Sequence, residues 1–344
     1  MKIVVVQTAF LGDLVLTTPV FRFLSESYGR DKVFVVARPF ARDLLLNKVI
    51  PFDKDKNKIL NFFGVIKSLG DIKPQIALVP HLSSTSALIP FLARIPQRIG
   101  FEENPLNMLF DKKVKKYSKH FEHEAERIFK ILDPIRKKTK NEINSKLLPE
   151  IHIEQSRIDK WKKFFSHIGV ELENKSSERK KTKKIVAFAP FSNWGTKSWF
   201  WWREFLACAD EFKDFIFVLI GKDKVDGDFP RNVVNLSGKT DLRDVVAILK
   251  ISNIFFGVDN GLSHIASALG KACFVVFGPT VPEFGFFPFF SDFQVVEVSD
   301  LKCKPCSLHG PNSCPMQHFK CMKELTPKIV AELFFDFVKR FEKS

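Results

Sequence analysis

No run of about 18 apolar residues occurs anywhere in the 344-residue sequence, which argues against a membrane-spanning helix. The opening stretch "IVVVQTAF" is too short for a signal-peptide core and is broken by Gln7 and Thr8, so a cytoplasmic location is expected. H-E-x-x-H, G-x-S-x-G and G-x-G-x-x-G are all absent, which removes the usual signatures of zinc proteases, serine hydrolases and NAD enzymes. Tyrosine (2) and methionine (4) are scarce beside 38 phenylalanines, a skew that reads as lineage bias rather than chemistry. Acidic residues are outnumbered, 39 against 54 Lys and Arg, and the net charge of +15 favours polyanionic partners. Much of that excess sits in the basic runs 112–119, 136–140 and 178–184, which read as solvated faces or loops. Cysteine is also sparse. Cys208 and Cys273 lie in apolar-rich segments and read as reduced core residues.

Short β-rich runs alternate with helical patterns from the start: "KIVVVQ" (2–7), a helix from near Leu14 or Thr18, "KVFVVA" (32–37), a helix around 41–46 and "IALVP" (76–80). A helix in "HEAERIFKILDPI" and another over 156–170 follow, and then 171–184 has almost no apolar residue and reads as a linker. At "IVAFAP" (185–190) the alternation restarts, through a helix around 199–212, strands at 215–221 and 232–236, a helix over 241–249, "NIFFGV" (253–258) and "ACFVVFGPT" (272–280). Thr326 and Pro327 open a closing helix. The expected organisation is an α/β domain over 1–170, a linker over 171–184, a second α/β domain over 185–325 and a C-terminal helix over 326–344. Two such parallel-sheet domains would place a cleft between the ends of their sheets.

Three segments follow strands directly, where open α/β proteins place reacting groups. In "TAFLGDLVLTTP", Gly12 permits close backbone approach and Asp13 is either a carboxylate at the sheet edge or a helix N-cap. In "PFSNWGTKSWFWW", Ser192, Asn193, Gly195 and Thr196 offer small donors and Lys197 adds a charge at a helix start, a cradle for phosphate oxygens that is not a P-loop. The nearby tryptophans read as packing. In "FFGVDNGLSHIASALG", a helix starting near Leu262 or Ser263 carries free N–H groups, Gly261 lets an anion approach, Asp259 repels a phosphate but can accept from a ribose or base, and His264 can donate to a phosphate when oriented or protonated. A capped helix with a satisfied histidine is the alternative. Near the end, Cys303, Cys306, Cys314 and Cys321 form C-x2-C-x7-C-x6-C, which lacks the second C-x2-C half of a zinc ribbon; a loop of thiols is favoured over a structural zinc site. The acidic pairs Asp53/Asp55 and Asp226/Asp228 lie in polar loops and are not expected to hold metal.

Together these three segments, in this order, resemble the lipopolysaccharide heptosyltransferase family (glycosyltransferase family 9), and "HEAER" with the cysteine segment resembles its heptosyltransferase II type. The resemblance implies two Rossmann-like domains facing across a cleft (GT-B architecture) and inverting transfer from ADP-L-glycero-D-manno-heptose to the Kdo/heptose inner core of lipopolysaccharide. It implies Asp13 as general base, Lys197 as the group steadying the departing ADP, and a donor site built from Gly12, Ser192, Asn193, Thr196, Lys197, Asp259, Asn260, Gly261, Leu262, Ser263 and His264. No cofactor is implied beyond the donor substrate. The implied partner is a phosphorylated Kdo-lipid A at the cytoplasmic face of the inner membrane, met peripherally, with Arg94, Arg98 and Arg127 as candidate acceptor contacts and no nucleic acid. Phe10, Leu11 and Phe191 depart from the family's commoner residues. A same-fold transferase using another nucleotide sugar, and a non-catalytic polyanion-binding protein, are the alternatives.

Overall fold

The β-branched runs form central strands, buried on both faces, as parallel sheets require. A computed structural model describes residues 1–55, 57–136, 147–170 and 183–341. The expected linker and the basic runs at 136–140 and 178–184 lie wholly or largely outside them. Contacts divide the chain into two units, Met1–His152 and Ile153–Ser344.

The first unit runs β1 (Ile3–Gln7), α1 (Leu11–Tyr28), β2 (Val33–Ala37), β3 (Lys48–Pro51), α2 (Lys58–Ile72), β4 (Ile76–Val79), α3 (Ser84–Leu92), β5 (Gln97–Phe101), β6 (Lys112–Val114) and α4 (Glu124–Phe129). Its sheet is wholly parallel in the order β3-β2-β1-β4-β5-β6, a doubly wound Rossmann-like arrangement. The expected helix around 41–46 is only a 3-10 turn, Pro39–Asp43, because edge strand β3 already begins at Lys48. The strand β3, helices α2 and α3, and strands β5 and β6 were not anticipated.

The second unit runs α5 (Gln155–His167), β7 (Lys184–Ala189), α6 (Trp202–Ala207), β8 (Phe215–Leu219), β9 (Val233–Asn235), α7 (Leu242–Ile251), β10 (Ile254–Val258), α8 (Gly261–Ala268), β11 (Ala272–Phe277), β12 (Phe293–Glu297), α9 (Lys320–Lys323) and α10 (Pro327–Phe341). Its parallel sheet, β12-β11-β10-β7-β8-β9, repeats the topology of the first. The helix expected over 199–212 is confined to α6 and a short 3-10 turn, because the indole N–H groups of Trp199 and Trp201 are tied to the carbonyls of Leu325 and Lys323. Phenylalanine dominates this core: Phe256 meets Phe188, Phe274 and Phe334 at ring-centroid distances of 5.0, 4.8 and 5.1 Å. The skew toward phenylalanine therefore has a packing use.

Helix α5, expected in the first domain, packs on α7 of the second unit. The Asp244 carboxylate accepts from Arg157 at 2.8 Å, from the Trp161 indole at 2.9 Å and from Lys160 at 3.1 Å. Burial pushes that carboxyl up, but these donors outweigh it and hold it below the usual range. No helix among the described residues is long and apolar enough to cross a membrane.

Candidate active site

In each sheet the order reverses beside the first strand of the unit, and ligands of open α/β sheets bind outside the carboxyl ends at that point. In the first unit the switch lies between β1 and β4. The segment after β1 turns at once into α1, with Phe10 as N-cap and no side-chain cap bond. Asp13 is therefore in the first turn, not the cap, and the cap reading of the sequence is corrected: the backbone is helical from Leu11 onward. Burial, the charge of Glu124 and, in the opposite sense, Lys116 and the Phe10 and Asp13 backbone N–H groups leave its carboxyl pushed up to about 6. Such an acid is mostly ionised at neutral pH and still basic enough to take a proton.

Lys116 lies in the run expected to be solvated, yet it is buried, pairs with Glu124 at 2.6 Å and sits over the Phe101 ring. The strand-like alternation past β6 turns Lys115 and Tyr117 outward and Lys116 inward. "HEAER" explains Glu124's place. The His123 ring accepts from the Ala125 N–H at 3.2 Å and the Glu126 carboxylate from the His123 N–H at 2.7 Å, which fixes the start of α4 against α1. Arg127 reaches Glu124 at 3.4 Å and covers the Tyr117 ring, so it belongs to this cluster. Arg94 and Arg98 do not. Arg94 precedes β5, and Arg98, in register with Ala77, pairs with Asp111 at 2.8 Å, toward the amino edge of the sheet.

After β4, His81 shares its Nδ1 between Thr8 and Ser86 hydroxyls, each at 3.1 Å. Burial, with Lys54 and Lys116 nearby, holds it down at about 4, so it is a neutral imidazole at the switch point. Sequence reasoning missed it. The signal available was "PHLSS" directly after the strand "IALV".

In the second unit the switch lies between β7 and β10, and the two remaining motifs flank it. Lys197 and Asp259 meet at 2.5 Å, 11% and 7% exposed, and the Thr280 hydroxyl donates to the same carboxylate at 2.8 Å. One of the three ammonium donors is thus engaged by Asp259. The helix start is not a ring of free N–H groups as expected. Asn260 is the N-cap of α8, its side-chain oxygen taking the Leu262 and Ser263 N–H groups at 2.9 and 3.1 Å while its amide donates to the Phe191 carbonyl at 2.8 Å. The Ser263 hydroxyl donates to the Asn260 carbonyl at 2.7 Å.

His264 is buried, burial holds it down at about 4, and its Nδ1 finds no partner among the described residues. It is neutral, so the protonated form is set aside and only the oriented neutral ring remains to meet a ligand. Thr196 donates its hydroxyl to the Pro311 carbonyl, and Ser192 accepts from the Trp194 N–H at 3.3 Å; both shape the loop. Asn193 is exposed beside them.

The cysteine segment supplies a wall that the sequence did not disclose. His309 stacks on Trp194 at 5.8 Å, and Gly310, at φ +77°, comes so near Lys197 that a Cβ there would lie 3.1 Å from its Cγ. A Cβ on Gly195 would meet the Asn312 carbonyl oxygen at 2.5 Å, so Gly195 is required by the close approach of two backbones and Gly310 by its left-handed φ and the Pro279 and Lys197 side chains against it. The cysteines themselves are free thiols, with Cys303 3.8 Å from the His318 ring. Among the described residues no three His, Cys, Asp or Glu side chains gather to hold a metal ion.

Residues 63–316 match the model of "Glycosyltransferase family 9 (heptosyltransferase)". The chain is 25% identical to lipooligosaccharide heptosyltransferase 2 of Haemophilus ducreyi over 83% of its own length and 85% of the relative's. It is also 25% identical to lipopolysaccharide heptosyltransferase 2 of Escherichia coli, over 83% and 84% of the two chains. The fold is similar to that of the E. coli ADP-heptose heptosyltransferase II structure, at TM-score 0.72 and 22% identity over 99% of this chain and 100% of that one. E. coli heptosyltransferase WaaC with ADP-2-deoxy-2-fluoro heptose aligns at TM-score 0.66 and 16% identity, over 98% and 99%. This chain belongs to glycosyltransferase family 9, the heptosyltransferases.

Proposed function

We propose that this protein transfers heptose, with inversion, from ADP-L-glycero-D-manno-heptose to the Kdo/heptose inner core of lipopolysaccharide, working peripherally at the cytoplasmic face of the inner membrane. The observation that carries the donor assignment is the pairing of Lys197 with Asp259 beside the unpartnered Nδ1 of buried His264, all at the switch point of the second unit. A buried ring nitrogen without a partner is costly, and a ligand group at this site would relieve it. Names of relatives with ADP-heptose and lipopolysaccharide in them support the sugar and the acceptor class.

Asp13 takes the proton from an acceptor hydroxyl as that oxygen forms its bond to the anomeric carbon, and the bond from that carbon to the diphosphate oxygen breaks. Asp13 ends protonated, and the extra charge leaves on ADP. The Lys197 ammonium, held in place by Asp259, uses its remaining donors on that charge. Asn260 and Thr196 serve by holding the two loops in register rather than by touching the donor. Arg127 remains the candidate acceptor contact among the three arginines, because it alone joins the cluster around Glu124.

The test is ADP release from ADP-heptose in the presence of heptosylated or unheptosylated Kdo-lipid A, with UDP and GDP sugars in parallel. Transfer from ADP-heptose alone is expected. Folded protein that transfers to neither acceptor, or prefers another nucleotide, overturns the reading.

A further inference from the structure

Helix α2 of the first unit is apolar on both sides. Val65 and Leu69 fill the core, while Ile59, Leu60 and Phe63 on its first turns are 70%, 68% and 60% exposed. These neighbours on the helix surface present roughly 400 Å² of apolar area, in the range of functional patches and about half of what one partner of a stable dimer buries. Beside them is an open groove of about 330 Å³ between α2 and edge strand β3, with Ile50, Pro51, Leu60, Gly64 and Val65 among its walls. Among the described residues, no atom outside the helix's own neighbouring backbone lies within 4 Å of where a Cβ on Gly64 would stand, so none of them fills the groove there.

The surrounding charge is basic: residues 48–73 hold six lysines and three aspartates. Lys48, Lys58 and Lys67 are exposed, and Asp55 is already paired with Arg38 at 3.2 Å. Lys58 directly precedes Ile59, and Lys67 stands one turn beyond Phe63.

We propose that this face docks on an anionic lipid bilayer, with Ile59, Leu60 and Phe63 entering the acyl boundary and Lys58 and Lys67 meeting the headgroup phosphates. An apolar strip edged by lysine on one helix is the pattern of an interfacial helix. The patch is too small to hold a second copy of the chain by itself. The proposal rests on the reading of a lipid-anchored acceptor for its purpose, but not for its test.

Full-length protein is floated with vesicles of phosphatidylethanolamine and phosphatidylglycerol, without nucleotide sugar, and compared with phosphatidylcholine vesicles. Binding to the anionic vesicles and little to the neutral ones is expected. Leu60→Ser/Phe63→Ser should weaken it more than about tenfold, from the apolar burial lost, and Lys58→Glu/Lys67→Glu by about tenfold or more. All four side chains being exposed, thermal midpoints should stay unchanged. Undiminished binding by the serine variant, equal binding to both vesicle types, or no binding at all overturns the proposal. A serine variant that changes oligomeric mass instead assigns the face to a second copy and also overturns it. Transfer to a delipidated, water-soluble acceptor should be unaffected by the serine variant. If no acceptor is used but vesicle binding still depends on Leu60 and Phe63, the docking surface stands and the transferase reading falls.

Discussion

At the scale of single residues, Asp13 carries a cost that its proposed role as general base would explain. Its carboxyl is pushed up to about 6 by burial and by Glu124, against an ordinary value of 3.8. An acid shifted upward stabilises the fold only while protonated, so its contribution is full below 3.8 and is lost as pH rises through about 6. Asp13→Asn should therefore abolish turnover yet raise stability at pH 8 by up to ~2 kcal/mol, with little gain at pH ~3.5. Denaturant unfolding at the two pH values measures this; a variant that is less stable at pH 8 would contradict the upward shift of that carboxyl. In the wild type, kcat/KM should fall about tenfold per pH unit below about 6. Lys197 behaves differently because its partner is buried with it. Lys197→Met strands the Asp259 carboxylate and should cost about 3–5 kcal/mol besides lowering kcat by roughly 10²–10³. Adding Asp259→Asn should restore much of the stability and none of the activity, which separates folding from chemistry.

At the scale of elements, the central strands were legible because runs such as "IVVV" and "IFFGV" are continuous and β-branched or aromatic, as strands covered on both faces must be. The edge strands were not. β3 and β6 are four and three residues long and exposed or half-buried except at Val114, so they leave no such run. Helix α2 was missed for another reason: Ile59, Leu60 and Phe63 outside and Val65 and Leu69 inside erase the one-sided periodicity that marks a surface helix. The same helix contains two glycines with helical backbone, Gly64 and Gly70, and among the described residues no atom outside the helix's own neighbouring backbone lies within 4 Å of where a Cβ on either would stand. Gly70→Ala should then stabilise the first unit by about 0.5–1 kcal/mol, through helix propensity and a less free unfolded chain. Thermal unfolding would show a rise of a few degrees; a fall would mean that the helix end is not as open as described.

At the scale of the whole molecule, the repeated alternation of strand and helix disclosed two parallel sheets, and the rule that ligands sit beyond the carboxyl ends of strands put Asp13, Lys197 and Asp259 in view. What stayed hidden was contact between segments far apart in sequence. Lys116 and Glu124 around Asp13, the His81 cluster, and the packing of His309 and Gly310 on Trp194 and Lys197 depend on loops whose courses no local pattern encodes. The place of α5 is of this kind, since it precedes the sheet it packs on. Asp244 of α7 is buried and takes three of its hydrogen-bond donors from α5, which also covers α7 with buried Trp161 and Phe165. A fragment of residues 153–344 should accordingly fold and bind ADP, whereas one starting at 183 leaves that carboxylate without Arg157, Lys160 and Trp161 and uncovers apolar surface. The loss is on the order of 3–5 kcal/mol for the stranded charge alone, enough to unfold a marginal unit. Circular dichroism and calorimetric titration with ADP on the two fragments decide it: equal stability would return α5 to the first domain, and a folded 153–344 that ignores ADP would remove the donor site from the second unit.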